Sequence, residues 1–334
     1  MYLRSFFVAL ACLVTLPLAH AAIGEPPEML LAAVAEYGPA EFEEGNYRAA
    51  DSFEFELELR GGRVFELSGE GVLNERNVEF MADLIAAGTD YGESISAPVA
   101  EFLATRAADL AGRGETAIGV EQYRLALDVT GNARPYEVRF TLGLQEVPAE
   151  AFPPGRHELG AADARYVIRE FSDFQCPYCA SYASQVLPLI KERLLARGDV
   201  RFEYHHFPLR SIHANAAPAA EAAECVSAVN TAMDFWEYHD ALFERQRAWQ
   251  GLGDPAPYFV RLADELGLDP AGVAECLEED RFQTVVSDSY RLAAAELGLT
   301  GTPSLFVNGY KVENYLDLQA YLDLIELVDS FSDE

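Results

Sequence analysis

A largely apolar run from Tyr166 to Phe171 leads through Ser172-Asp173-Phe174-Gln175 into Cys176-Pro177-Tyr178-Cys179, and helix-forming residues continue from there to about Arg197. Two cysteines separated by two residues at a strand-to-helix junction form either a strained disulfide or a dithiol. Cys176 then sits at a helix N-terminus, where unsatisfied N–H groups and the macrodipole stabilise a thiolate. Pro177 suits the first helical position because its missing donor costs nothing there. The predicted roles are nucleophile for Cys176, resolving thiol for Cys179, and redox tuning for Pro177 and Tyr178. The rival reading is half of a zinc site. A structural tetrahedral site needs four ligands, and Cys225 and Cys276 offer no second close spacing, so no metal is expected.

Downstream, Val200 to Phe207 reads as a second strand and residues 211–298 as successive helices with amphipathic spacing, for example Phe235, Tyr238, Leu242 and Phe243. Gly301-Thr302-Pro303 precedes a third strand, Ser304 to Val307. Asn308-Gly309 turns into a short strand at Tyr310 to Val312, and a helix from about Leu316 to Val328 closes the chain. The order is strand, helix, strand, helical insert, strand, strand, helix. Trp236 and Trp249 read as core at helical spacing.

Together, Glu170-Phe171-Ser172-Asp173-Phe174-Gln175 before the cysteines, Phe207-Pro208-Leu209, His213-Ala214-Asn215-Ala216 and Gly301-Thr302-Pro303-Ser304-Leu305-Phe306-Val307-Asn308-Gly309 resemble the DsbA-like thiol:disulfide oxidoreductases of the thioredoxin superfamily. The resemblance covers residues 160–330. It implies an α/β thioredoxin fold with a helical insertion at 211–298. Glutaredoxins share Cys-Pro-Tyr-Cys but are short, whereas here a long segment separates Cys179 from Pro303. By resemblance, Pro303 is a cis-proline facing the disulfide, and its backbone with that of Thr302 binds an extended substrate segment. Glu170 takes the place of the family's carboxylate beneath the active site, where it would relay the proton of Cys179. The bland alternative is a charge alternating out of the strand. The resemblance also implies a second disulfide between Cys225 and Cys276, two separate buried thiols being the alternative.

One departure concerns Tyr178. The most oxidising members carry Pro-His between the cysteines, and Tyr178 cannot bear the positive charge that helps stabilise the thiolate. The expected potential is therefore roughly −180 to −230 mV, against about −120 mV for DsbA. One of His205 and His206 is expected to point toward the active-site face and the other away, by strand alternation. His213 is expected to cap or orient the insert.

Residues 24–145 read as a smaller α+β unit of unassigned function. Phe53 to Leu59 alternates apolar and acidic residues, Gly61-Gly62 turns it into Arg63 to Ser68, and helices are expected at about 74–87 and 97–111. Alternating runs follow at 120–129 and 136–144, giving an antiparallel sheet with helices on one face. Residues 146–164, with Pro148, Pro153, Pro154 and Gly155, read as a linker.

The first residues bear on compartment. Arg4 precedes an apolar run to Ala19, and Ala19-His20-Ala21 has the small-x-small form of a cleavage site, so residues 1–21 are expected to be a signal peptide and the protein periplasmic or extracellular; an uncleaved anchor is the alternative. Cys12 would leave with the leader, and four cysteines in an exported chain point to oxidised pairs. The formal net charge is −31, and all basic residues except Lys191 and Lys311 are Arg. Residues 24–150 and 151–334 each carry net −16, so the acidity is no tail. It disfavours nucleic acid and anionic lipid. It also suggests adaptation to concentrated salt, whose expected sign is a melting temperature that rises from low to molar salt; a flat or falling curve contradicts it. Expected partners are exported proteins bearing thiols or disulfides and an unidentified redox partner, with homodimerisation through the N-terminal region possible in an isomerase. No cofactor beyond the dithiol is expected. The competing class is a non-catalytic peptide-binding or chaperone module on the same fold.

Overall fold

The computed structural model describes residues 23–89, 91–120 and 122–332. The expected leader, 1–21 with Cys12, lies outside them. The chain divides into two compact units at Leu144 and Gln145.

The first unit contains helix α1 (Pro27–Ala33), strands β1 (Ala40–Glu43), β2 (Asn46–Ala49), β3 (Phe53–Arg60) and β4 (Arg63–Val72), helices α2 (Glu75–Ala87) and α3 (Ser96–Leu110), and strands β5 (Thr116–Val120), β6 (Tyr123–Thr130) and β7 (Glu137–Leu144). One antiparallel sheet results, in the order β1-β2-β3-β4-β7-β6-β5. In β3, Phe53, Phe55 and Leu57 face the core while Glu54, Glu56 and Glu58 face away. Gly61 and Gly62 close the β3–β4 hairpin with φ of 55° and 76°, the left-handed pair that a two-residue turn matching strand twist requires. Asn74 caps α2 by accepting from the Asn77 N–H, and α2 buries Phe80, Met81, Leu84 and Ile85. Phe80 meets Phe53 edge-on at 5.5 Å. Each such fully buried Phe contributes roughly 1.5–3 kcal/mol.

The sequence predicts four strands here, and the described residues form seven. Exposed Ala40–Glu43 carries no alternation to read, and β5 pairs antiparallel with β6, Val120 opposite Tyr123, so two strands share the run expected as one.

The second unit contains β8 (His157–Gly160), β9 (Tyr166–Ser172), α4 (Pro177–Gln185), β10 (Val200–His206), insert helices α5 (Ala216–Val229), α6 (Ala232–Glu244), α7 (Ala256–Glu265), α8 (Pro270–Glu278) and α9 (Gln283–Arg291), then β11 (Ser304–Val307), β12 (Tyr310–Lys311) and α10 (Leu318–Ser332). Its sheet order is β12-β11-β9-β10-β8. Strands β9 and β10 pair in parallel, with β8 antiparallel to β10 and β11 antiparallel to β9. The central strands are buried on both faces, as strands covered by crossover helices must be. Past α4 the helix is interrupted at Val186, because Pro188 supplies no N–H to the Ser184 carbonyl, and it continues through a π turn at Ile190–Leu194 to end in a 3-10 turn at Leu195–Arg197.

The expected linker is corrected. Residues 146–164 contain β8, which pairs Leu159 with Phe202, and the Val147 N–H donates to the Gly309 carbonyl. The prolines that suggested an interdomain linker instead lie in a segment built into the second sheet. Cys225 on α5 and Cys276 on α8 are joined as a disulfide, at a sequence separation of 51. Closing a loop of that length stabilises by about 4 kcal/mol on the chain-entropy model. Trp236 and Trp249 are buried. Among the described residues no helix is long and apolar enough to cross a membrane.

Candidate active site

Strand β9 delivers the chain to the site and α4 begins it. Cys176 is the N-cap of α4 with extended backbone, and Pro177 occupies N1. Cys176 and Cys179 are both free thiols. Cys176 Sγ lies 3.4 Å from the Thr302 carbonyl oxygen, to which the thiol donates. The Thr302–Pro303 peptide is cis. It leads into β11, whose Ser304 stands opposite Phe171 of β9, so strand pairing carries the Thr-Pro turn to the cysteine end of the sheet. Tyr178, at 63% exposure, faces solvent.

The two thiols are driven apart electrostatically. The hydrogen bond from Cys179 is the largest influence on Cys176; with the Thr302 side chain and the Cys179 and Tyr178 N–H groups it overcomes burial and lowers Cys176 to about 6. At pH 7 roughly nine-tenths of such a group is thiolate. Cys179, one turn into the helix and fully buried, is pushed well above 9, first by burial and then by Cys176 and Glu170. Glu170, in the middle of β9 between Tyr204 of β10 and Leu305 of β11, is also fully buried, which raises its carboxyl to about 8. A carboxyl at that value exchanges protons near neutral pH.

Sequence reasoning did not find what holds the loop before Cys176. Asp173 is buried; Oδ1 accepts from the Gln175 N–H at 2.7 Å, and Oδ2 accepts from the Leu209 N–H at 2.8 Å and pairs with His213 Nδ1 at 2.7 Å. Thus His213 ties the active-site loop to the entry of the insert. Gln175 donates to the Gln250 carbonyl and accepts from the Asn215 N–H. Gln246, in the one-turn helix Gln246–Trp249, donates to the Phe174 carbonyl at 2.9 Å and the Cys176 carbonyl at 3.0 Å. Asp173 and Asn215 stand within the motifs that carried the resemblance, but nothing local marks Gln246. Gln246→Ala removes the side-chain donor from two buried carbonyls, and the expected cost is about 1–3 kcal/mol. The Cys176 thiolate titration, followed by ultraviolet absorbance, should move upward as the loop loosens; an unmoved titration would show that the clamp does not reach the sulfur.

Neither strand histidine tunes Cys176 directly. His205 stacks on Phe171 at 4.7 Å and lies 3.4 Å from Glu203, and burial lowers its pKa. His206 joins His157 and Glu224 in a buried group whose ligand atoms lie within 4.8 Å of one another. That spacing would suit a metal, but Glu224 already accepts from His157 at 2.9 Å, His206 at 3.1 Å and Arg156 at 2.8 Å. Nδ1 of both histidines, moreover, closes no hydrogen bond among the described residues, whereas metal-bound imidazole is held by such a bond. These residues form an ion-pair cluster.

The family model described as "Thioredoxin" matches residues 153–326, just over half of the chain. The chain belongs to the thioredoxin family. Its second unit is a thioredoxin fold, with the helical insert between β10 and β11. Among curated relatives, it is 32% identical over 179 residues to Na(+)/H(+) antiporter NhaA 3 of Salinispora tropica, covering 53% of this chain and 25% of that protein. It is 26% identical over 179 residues to disulfide bond formation protein D of Bacillus subtilis, covering 52% of this chain and 76% of that protein. The chain thus spans about a quarter of the length of the first of these relatives. The solved structure of oxidised BdbD from Bacillus subtilis aligns with TM-score 0.48 at 24% identity, covering 56% of this chain and 96% of that one.

Proposed function

We propose that this protein is an exported thiol:disulfide oxidoreductase acting on protein substrates through Cys176 and Cys179. The observation that carries the reading is the pairing of a helix-capping thiol, lowered to about 6, with the carbonyl of the residue preceding a cis-proline, above a second thiol that stays protonated. Cys176 attacks or is attacked, and Cys179 closes or opens the ring beneath it. The backbone of Thr302 and Pro303 pairs with an extended client segment, and the dithiol needs no further cofactor. Substrates are exported proteins bearing thiols or disulfides, and a separate redox partner restores the pair. A dimer through the first unit would favour isomerisation over oxidation; light scattering that gives a monomer would speak against it.

The chemistry is tested by equilibrating the protein with glutathione and quantifying reduced and oxidised Cys176–Cys179. The expected potential is roughly −180 to −230 mV, because Tyr178 supplies no charge to the thiolate. A value near −120 mV would remove Tyr178 from the explanation, and no exchange at any ratio would overturn the function.

A further inference from the structure

Beneath the two cysteines lies a polar cluster that the exchange reaction as described does not use. Alternation along β9 puts Glu170 and Ser172 on one face, and the parallel register sets Tyr204 of β10 beside Glu170. From above, α4 lowers Cys179 and Tyr182 onto this face, and Tyr321 of α10 acts on Tyr182. Glu170, Cys179, Tyr182, Tyr204 and Ser172 are each 1% exposed or less. Both Glu170 oxygens, Ser172 Oγ and the Tyr182 and Tyr204 hydroxyls close no hydrogen bond among the described residues. Ser172 nonetheless stands near three of these groups: its hydroxyl favours the charged forms of the Glu170 carboxyl, the Cys179 thiol and the Tyr204 phenol. It is adjacent to each without being aligned to any, so it is free to turn between them.

We propose that the Ser172 hydroxyl is the proton bridge between Cys179 Sγ and the Glu170 carboxyl. The inference rests on the exchange reaction proposed above and specifies its buried half. When a client thiolate attacks Cys176 Sγ of the oxidised pair, a client–Cys176 disulfide forms and the Cys176–Cys179 bond breaks, leaving Cys179 as a thiolate buried above this cluster. Ser172 Oγ–H gives its proton to that sulfur while the Glu170 carboxylic acid gives its own to Ser172 Oγ, and Glu170 is left as the carboxylate. A second client thiolate then attacks the client sulfur of the mixed disulfide and Cys176 departs as a thiolate. The client has lost two electrons, and the enzyme pair has gained them.

A hydroxyl suits this place because it donates and accepts at once, so no charge accumulates on it. Tyr182 and Tyr204 cannot substitute as acids: burial pushes both phenols well above 10, so they keep their protons through the cycle. The other charges that act on Glu170 are Lys191, which favours its ionised form, and Asp240, which opposes it.

Ser172→Ala tests the bridge in a single-turnover reaction of the oxidised full-length protein with a dithiol peptide. Reduction of the Cys176–Cys179 pair should slow about 100-fold at pH 7 and lose its dependence on a group titrating near 8, since a positioned proton donor contributes about that much or more. Alkylation of Cys176 in the reduced protein should stay within about twofold, since it needs no proton from below, and Ser172→Thr should restore most of the rate. A merely structural role for Ser172 would disturb alkylation and reduction alike and leave the pH profile in place, which would overturn the proposal. Wild-type rate and pH profile in Ser172→Ala, with Cys176→Ala inactive, would overturn the bridge and leave the exchange function standing. A wild-type protein that exchanges no thiols would overturn both. Should Ser172→Ala not fold, the wild-type rate in mixtures of light and heavy water decides: two protons in flight give a bowed dependence, and a straight line contradicts the bridge.

Discussion

Cys176→Ala is expected to abolish thiol:disulfide exchange, leaving under about 1% of the wild-type rate in insulin or peptide reduction, because the remaining cysteine is a poor nucleophile in this position. Cys179 is fully buried and its pKa is pushed well above 9, so at neutral pH it is almost entirely protonated and out of reach of a client disulfide. Removing Cys176 also removes the hydrogen bond between the sulfurs. Cys225 and Cys276 cannot take over, since they are tied to each other in the insert. Activity retained in Cys176→Ala would mean that the thioredoxin unit works as a peptide platform rather than by sulfur chemistry.

The second large effect is on stability. Glu224→Ala is expected to cost the second unit about 3–5 kcal/mol, the range for removing one partner of a buried ion pair. Burial works to raise the Glu224 pKa, but hydrogen bonds from His157, His206 and Arg156 outweigh it and hold the group well below the usual carboxylate range. Its carboxylate accepts five donor contacts within 3.2 Å and joins β8, β10 and α5. Alanine would leave two buried imidazoles without their acceptor, with a cavity beside Phe235, on which His157 stacks at 3.4 Å. Arg156 loses less, because half of its side chain is already in water.

The same group sets an acid limit. A carboxylate with lowered folded pKa contributes stability that is complete above its unfolded value of about 4.3 and is lost as pH falls through that value toward the folded one. His157, lowered by burial against the pull of Glu224, acts in the same direction: its contribution is complete above about 6.5 and declines below it, since protonation places an N–H on the Nδ1 that has no partner. Glu170, raised to about 8, has the opposite sign and costs stability as pH rises above about 4.3. Denaturant melts of wild type and Glu224→Ala from pH 7 to pH 3 test this: the gap between the two proteins should not narrow above about pH 4.3 and should narrow below it. A gap that stays constant down to pH 3 would contradict the assignment.

How much of this was visible in the sequence follows from how local each feature is. The strand-Cys-x-x-Cys-helix junction and the Gly-Thr-Pro turn are contiguous, and their physics is contained in a few residues. The acidic alternation of β3 and its Gly-Gly turn are equally local. Strand β8 was hidden by neighbouring prolines, which describe the backbone's stiffness and not its pairing partner, 40-odd residues away in β10. Gln246 reaches a carbonyl 70 residues away, and Glu224 is separated by 67 and 68 residues from the His157 and Arg156 that hydrogen-bond to it. Such pairings leave no periodicity, because a buried polar residue in a helix reads as any solvated one does. Ser172 was within the run that carried the resemblance, two residues from Glu170 and on its face of β9; its role became legible only once Cys179 was seen above it.

The most direct measurement is a trapping experiment. Cys179→Ala is mixed with an oxidised model peptide, and the product is mapped by mass spectrometry. With no resolving thiol, the expected result is a peptide disulfide held on Cys176, released by dithiothreitol. A Cys176 that reacts with an alkylating agent yet forms no peptide adduct would contradict thiol:disulfide exchange as the function of this site.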